Sequence, residues 1–101
     1  MEIKLHAGIH IDKTFEEYLT AKIEKLGRFM FDEGKVELYL KREGPEYISE
    51  MTVHTKHFTF FLKEQADNLT GSVETLLDKM KVKLQKTHDK IIEKSHKGST
   101  G

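Results

Sequence analysis

The chain has 101 residues, of which 37% are hydrophobic and 34% are charged, and this composition predicts a single soluble globular domain with one modest core. The absence of cysteine excludes disulfides, thiol nucleophiles and zinc–thiolate sites, and it favours a reducing cytoplasm as the location. No apolar run reaches the roughly 18–20 residues that a membrane-spanning helix needs. We also expect no secretory leader, because Met1 is followed directly by an alternating pattern.

The charges are divided unevenly along the chain, although Lys+Arg and Asp+Glu both number 17. Residues 1–78 contain ten basic and fifteen acidic side chains, a balance of −5, whereas residues 79–101 contain seven lysines and two acids, a balance of +5. Such a separation indicates a basic surface for a polyanionic partner. The alternative is a solvated basic tail without a binding role.

The first half of the chain predicts a strand and then a helix. Apolar and polar residues alternate over residues 2–6, as in a half-buried strand. A helix with an amphipathic 3.6-residue period follows, and both Asp12 and Thr14 are suitable caps for it. The helix ends at Gly27 or continues for one further turn.

The second half predicts three strands and a long helix. Alternation recurs over residues 35–42, 47–55 and 58–63, with turn residues between the first two of these runs, so an antiparallel meander is expected. Asn68 is a good helix cap, and the apolar period that follows it continues for more than twenty residues.

The element order is therefore β-α-β-β-β-α. It predicts an α+β two-layer sandwich, with a four-stranded mixed sheet and both helices on one face. Strands one and two can pair in parallel because a helix connects them. We expect residues 1–95 to form this single domain and residues 96–101 to form a flexible basic tail.

A row of six lysines on the second helix is the strongest functional signal. At about 100° per residue they fall within a sector of roughly 80° beside the apolar seam, and the row is about 27 Å long. They are Lys79, Lys83, Lys86, Lys90, Lys94 and Lys97. Like charges at this spacing weaken a helix slightly, so their retention predicts phosphate binding, with a merely solubilising face as the alternative. Lys22, Lys25 and Arg28 would widen the patch if the two helices run parallel.

Other chemistry is sparse. His6 and His54 are expected to meet on the open sheet face, but no carboxylate lies at a metal-ligand spacing, so no metal site is predicted. Tyr39 and Phe61 on that face either stack on unpaired bases or are edge aromatics that are partly covered. With no glycine-rich phosphate loop and no catalytic constellation, we predict neither an enzyme nor a cofactor.

Three segments resemble the ribosome hibernation factors, a family that includes hibernation-promoting factors and ribosome-associated inhibitors and is also named for sigma-factor modulation. The most specific is Leu77-Asp78-Lys79-Met80 together with the stretch from Leu84 to Ile91. The segment from Tyr18 to Leu26 resembles the first helix of the family, and Thr52-Val53-His54 resembles its third strand. Val82 departs from the family pattern, which has arginine there.

The resemblance implies a protein that binds the small ribosomal subunit at the decoding region, blocks mRNA and tRNA, and silences translation in stasis. It implies rRNA contact at Lys22, Lys25, Lys79, Lys86 and Lys90. The lysine row and the end of the first helix add the remaining candidates, which are Lys83, Lys94 and Arg28.

The chain resembles the short form of the family, so we expect no extra C-terminal domain, and the resemblance allows a second hibernation factor as a partner. A membrane or a small-molecule substrate is not expected. The alternative function is a protein-binding regulator, for example of a transcription factor, that presents the same basic helix to an acidic partner.

Overall fold

The computed structural model describes residues 1–30 and 33–100, and it describes side chains through residue 92. Its elements are β1 (Glu2–Ala7), α1 (Lys13–Leu26), a 3-10 turn (Gly27–Phe29), β2 (Lys35–Glu43), β3 (Glu46–His54), β4 (Thr59–Ala66) and α2 (Leu69–Thr100). The predicted order and fold class are confirmed. The strand ends differ by one to three residues from prediction, most at β4, which continues to Ala66.

The four strands form one sheet in the order β1-β2-β3-β4. Strand β1 pairs in parallel with β2, with Ile3 opposite Val36, while β2, β3 and β4 pair antiparallel as a meander. The β2–β3 turn has only two residues between the paired Glu43 and Glu46, and Gly44 takes φ 58° there, which glycine adopts without strain.

The core lies between one face of the sheet and both helices. Alternate strand residues and one seam of each helix are buried together in it, and its members include Leu19 and Ile23 of α1, Leu38 and Met51 of the sheet, and Leu76, Met80 and Leu84 of α2. The two-residue period of the strands and the 3.6-residue period of the helices therefore place their apolar residues in one shared layer. This is why the two helices lie on the same face of the sheet.

Side-chain caps fix where each helix begins. Asp12, rather than Thr14, caps α1, since its carboxylate accepts a hydrogen bond from the Phe15 amide at 2.7 Å. The side-chain oxygen of Asn68 accepts from the Gly71 amide at 2.6 Å and caps α2 as predicted.

The C-terminal part of α2 bears on the predicted domain division. Helix α2 extends to Thr100, while side chains from residue 93 onward, and Gly101 altogether, lie outside the described part. The boundary at residue 95 and the flexible basic tail therefore stay predictions. Within the described residues, no helix combines the length and the apolar character needed to cross a membrane.

The opposite face of the sheet is covered by ion pairs. Glu37 accepts a hydrogen bond from the Tyr39 hydroxyl at 2.7 Å and pairs with Lys35 at 3.0 Å. Lys41 lies within 4 Å of both Glu43 and Glu50. The register nevertheless places one apolar residue of β3, Ile48, on this face between Lys41 and Gln65, and its side chain is almost wholly buried.

One buried polar contact joins α2 to the sheet. The Ser49 hydroxyl of β3 donates to the Ser72 oxygen at 2.9 Å, and the Ser72 hydroxyl donates to the Leu69 carbonyl at 2.9 Å. Both serines are fully buried. A buried donor without an acceptor costs about 1–3 kcal/mol, so the two members of this pair are not equivalent.

We expect Ser72→Ala to lower the free energy of unfolding by about 1–3 kcal/mol, because it leaves the Ser49 donor without an acceptor. Ser49→Ala should cost less, since Ser72 keeps its bond to Leu69. Urea denaturation of both variants and of the double variant measures this. The double variant should be no less stable than Ser72→Ala, and a larger loss for Ser49→Ala would contradict the assignment.

The Glu37 cluster predicts a pH dependence. The Tyr39 hydroxyl, followed by Lys35, lowers the pKa of Glu37 below its ordinary value. The charged carboxylate therefore stabilises the fold at neutral pH, and that contribution is lost as the pH falls through the lowered pKa. Glu37→Gln should be less stable at neutral pH and should lose less stability on acidification, as measured by urea denaturation across the acid range.

The control is Glu24→Gln, which removes one exposed carboxylate from α1. If it changes the acid dependence as much as Glu37→Gln does, the effect comes from net charge and the cluster has no part in it.

Candidate nucleic-acid interface

The predicted lysine row lies on the flank of α2 that faces β4. Its first member, Lys79, donates to the carboxylate of Glu64 on β4. The Lys83 ammonium lies 4.6 Å from the ring centroid of Phe60, also on β4. The first two lysines are therefore held against the sheet edge, although their side chains remain exposed.

The next two lysines of the row are open to solvent. Lys86 and Lys90 are exposed and take part in no ion pair among the side chains that the structure describes. Lys94 lies beyond the last described side chain, so its role stays a prediction. The row thus begins with two partnered cations and continues with two unpartnered ones.

The basic residues at the end of the first helix lie in a groove between α1 and α2. Lys22, Lys25 and Arg28 line one side of it, and Lys81 of α2 lines the other. The floor of this interhelical groove includes the buried Phe29 and Leu77. The structure therefore brings the helix-one cations together with a lysine that was not predicted.

The two helices run in the same direction along this groove. Near their beginnings, the Tyr18 hydroxyl donates to Glu74 at 3.2 Å. Farther along both helices, the Phe29 ring meets the His88 ring edge-on, with centroids 6.1 Å apart. The parallel course of the helices, on which the widening of the lysine row depended, is therefore observed, but the helix-one cations lie on the flank of α2 opposite that row.

The predicted cations are divided between two flanks of α2. Lys79 and Lys83 face β4, while Lys81 faces α1, on the opposite side of the buried seam at Met80. Sequence reasoning missed Lys81 because it followed a single row. The signal was present, since at about 100° per residue Lys81 lies roughly 160–200° from Lys79 and Lys83.

The interhelical groove also contains acids. Glu74 and Asp78 of α2 line it beside the cations, and no ion pair joins them to those cations among the described side chains. Burial, followed by the hydrogen bond to Glu74, raises the pKa of Tyr18 above its ordinary value, and Asp78 adds a smaller effect. The groove is therefore cationic with two embedded carboxylates.

The expected meeting of two histidines on the open sheet face is wrong. His6 stacks on Tyr39 in the middle of β2, with ring centroids 4.3 Å apart, whereas the register places His54 opposite Lys35, the first residue of β2. His54 contacts Thr59 at 2.6 Å instead. The described part of the chain has no group of three or more potential ligands that could hold a metal ion.

The two aromatic residues of that face differ. Tyr39 is covered on one ring face by His6 and donates its hydroxyl to Glu37, so it matches the covered-aromatic alternative. Phe61 is 58% exposed on the edge strand β4. Its stacking on a base stays a prediction.

The chain is similar to known proteins in both sequence and structure. The family described as Sigma 54 modulation protein / S30EA ribosomal protein matches residues 2–92. The ribosome hibernation promoting factor of Escherichia coli K12 is 25% identical over 84 residues, which are 83% of this chain and 88% of that protein. That of Salmonella typhimurium is 24% identical over the same shares of both chains.

Two solved structures share the fold. The N-terminal domain of Protein Y from Thermus thermophilus superposes with a TM-score of 0.77 at 19% identity, covering 86% of this chain and 99% of that one. A ribosomal subunit interface protein from Coxiella burnetii superposes with a TM-score of 0.72 at 21% identity, covering 86% and 97%.

Proposed function

Because the chain belongs to the Sigma 54 modulation protein / S30EA ribosomal protein family, we propose that it binds the small ribosomal subunit at the decoding region. There it blocks mRNA and tRNA and silences translation in stasis, in the cytoplasm. The resemblance found in the sequence is confirmed by the family match, and so is the prediction that the chain is not an enzyme. The names of its relatives, which are hibernation promoting factors and a subunit interface protein, support a ribosomal partner.

The observation that carries the proposal is the basic surface formed by the two parallel helices. Among the side chains that the structure describes, its cations without an ion pair lie on both sides of the interhelical groove and on the β4 flank of α2. They include Lys25, Lys81, Lys86 and Lys90. Phosphates of folded RNA are spaced closely enough for several such cations to be neutralised at once, and each contact releases condensed counterions.

The first two lysines of the row beside β4 have a different part in this proposal. Lys79 is partly neutralised by Glu64, and Lys83 lies over an aromatic ring, so both are positioned before RNA arrives. The Lys79 ammonium of this pair is largely exposed to solvent, which screens the attraction, so phosphate can compete with Glu64 for Lys79. We therefore assign the strongest phosphate contacts to the unpartnered cations and weaker ones to Lys79 and Lys83.

The proposed mechanism is steric occupation. Lysine contacts phosphate as a point charge and reads no base, so the basic surface orients the domain on rRNA. The body of the sandwich then occupies space that mRNA and tRNA require. No covalent chemistry and no cofactor are needed for this action.

Affinity for the small subunit should fall steeply with salt. Four cations of the groove and two farther along α2 would together give a slope of log affinity against log salt of about −4 to −5. They are Lys22, Lys25, Arg28 and Lys81, followed by Lys86 and Lys90. Co-sedimentation of the purified protein with isolated small subunits, across a salt series, measures this slope. Absence of co-sedimentation at low salt would overturn the proposal.

Charge-reversal variants distinguish binding through the interhelical groove from general attraction by net charge. Lys25→Glu/Lys81→Glu should weaken subunit binding at least about tenfold and reduce the magnitude of the salt slope by about two, because two phosphate contacts are lost. The matched control is Lys4→Glu/Lys13→Glu, which makes the same charge change at exposed positions on the open sheet face and at the start of α1.

An equal loss in the control would show attraction by net charge alone. A partner that stays bound after nuclease treatment of a pull-down would favour the protein-binding regulator instead.

A further inference from the structure

The interhelical groove contains one carboxylate, that of Asp78, without a partner among the described side chains. Glu74 accepts the Tyr18 hydroxyl, but Asp78 takes part in no hydrogen bond or ion pair within the described part of the chain. It lines the groove together with Lys22, Lys25 and Lys81, none of which forms an ion pair among the described side chains. The groove therefore presents separate positive and negative groups to whatever binds in it.

A carboxylate in this place opposes the binding of bare phosphates, since it repels them and reduces the attraction of the neighbouring lysines. It favours binding only if the ligand also carries N–H donors. An unpaired nucleotide has both features, because its phosphates accept hydrogen bonds and its base edge can donate them.

The same groove also contains a planar cation, Arg28. The Arg28 guanidinium lies over the Phe29 ring, 4.8 Å from its centroid, and Arg28 is exposed. Phe29 thus holds the guanidinium from one side, while Arg28 remains exposed to a ligand in the groove. Bases of unpaired RNA commonly stack on guanidinium planes.

We propose that this groove binds one unpaired guanine nucleotide of the RNA. Asp78 accepts the two adjacent Watson–Crick-edge donors of guanine, N1–H and the N2 amino group, and Arg28 stacks on the base. Lys25 and Lys81 contact the flanking phosphates. The proposal rests on the proposed function, since it names the element of RNA that the groove takes.

The chemistry of the other bases explains the choice of guanine. Cytosine offers a single amino donor next to an acceptor nitrogen, and adenine has the same disadvantage on its Watson–Crick edge. Uracil places its one N–H between two carbonyl oxygens, which repel a carboxylate. Guanine alone offers two neighbouring donors that match the two oxygens of Asp78.

The test uses the full chain and four labelled pentaribonucleotides, UUGUU, UUUUU, UUAUU and UUCUU, with affinity measured by fluorescence anisotropy. The wild-type protein should bind UUGUU about tenfold more tightly than the others. Asp78→Asn should abolish this preference. The same substitution removes one negative charge, so it should leave the affinity for UUUUU equal or higher.

The matched control is Glu17→Gln, which makes the same charge change on α1 away from the groove. It should keep the preference for guanine. If Asp78→Asn strengthens UUGUU binding as much as UUUUU binding, the carboxylate acts only through charge and the proposal is overturned. Equal wild-type affinity for all four oligonucleotides, or a preference for another base, also overturns it.

The two proposals can fail separately. Co-sedimentation with small subunits without a guanine preference removes the groove assignment and leaves the ribosomal function standing. A guanine preference without co-sedimentation supports the groove and removes the ribosomal function.

Discussion

The burial of one apolar seam of α2 against the sheet is the constraint on which the functional surface depends. Leu76, Met80 and Leu84 are fully buried in that seam, and a helix with one face held in this way cannot rotate. Every other side chain of α2 therefore points in a direction set by its distance along the chain from the seam. Lysines between the seam positions are therefore directed to one flank or the other by the seam itself, and the contacts of Lys79 with Glu64 and of Lys83 with Phe60 add to that placement.

The parallel pairing of β1 and β2 supplies the second half of the surface. A crossover between parallel strands has to return the chain to the starting end of the sheet, and α1 makes that return on the core side. Its last turn then lies beside the middle of α2, where Lys25 and Arg28 face Lys81 across the groove. Most acidic side chains of residues 1–78 lie outside this groove, and several of them form ion pairs on the open sheet face.

Much of the fold could be read from the sequence because each element has a single clear period. Alternation over β2 and β3 and the long apolar period of α2 each favour one structure, and caps such as Asn68 agree with them. The end of β4 was not predicted, because its last residues are held in the strand by pairing with β3. Their side-chain polarity does not report that pairing.

The candidate site was only partly predictable, for reasons of tertiary contact. The pairing of Lys79 with Glu64 depends on which strand lies under that flank of α2, and no local pattern contains that information. The groove at Lys81 depends on the separation of two helices that are far apart in sequence. His6 and His54 were both correctly assigned to the open face, but the strand register, which periodicity does not report, keeps them apart.

The bond between Ser49 and Ser72 adds a limit on how this domain can vary over evolutionary time. It anchors the first turn of α2 to the sheet. The number of residues between that anchor and each lysine therefore sets the position of the lysine along the helix axis and its angle around that axis. Exchanging one exposed side chain for another leaves that spacing intact. Inserting or deleting a single residue would swing every later cation about 100° around the axis, so chain length in this stretch should be far less free to change than composition.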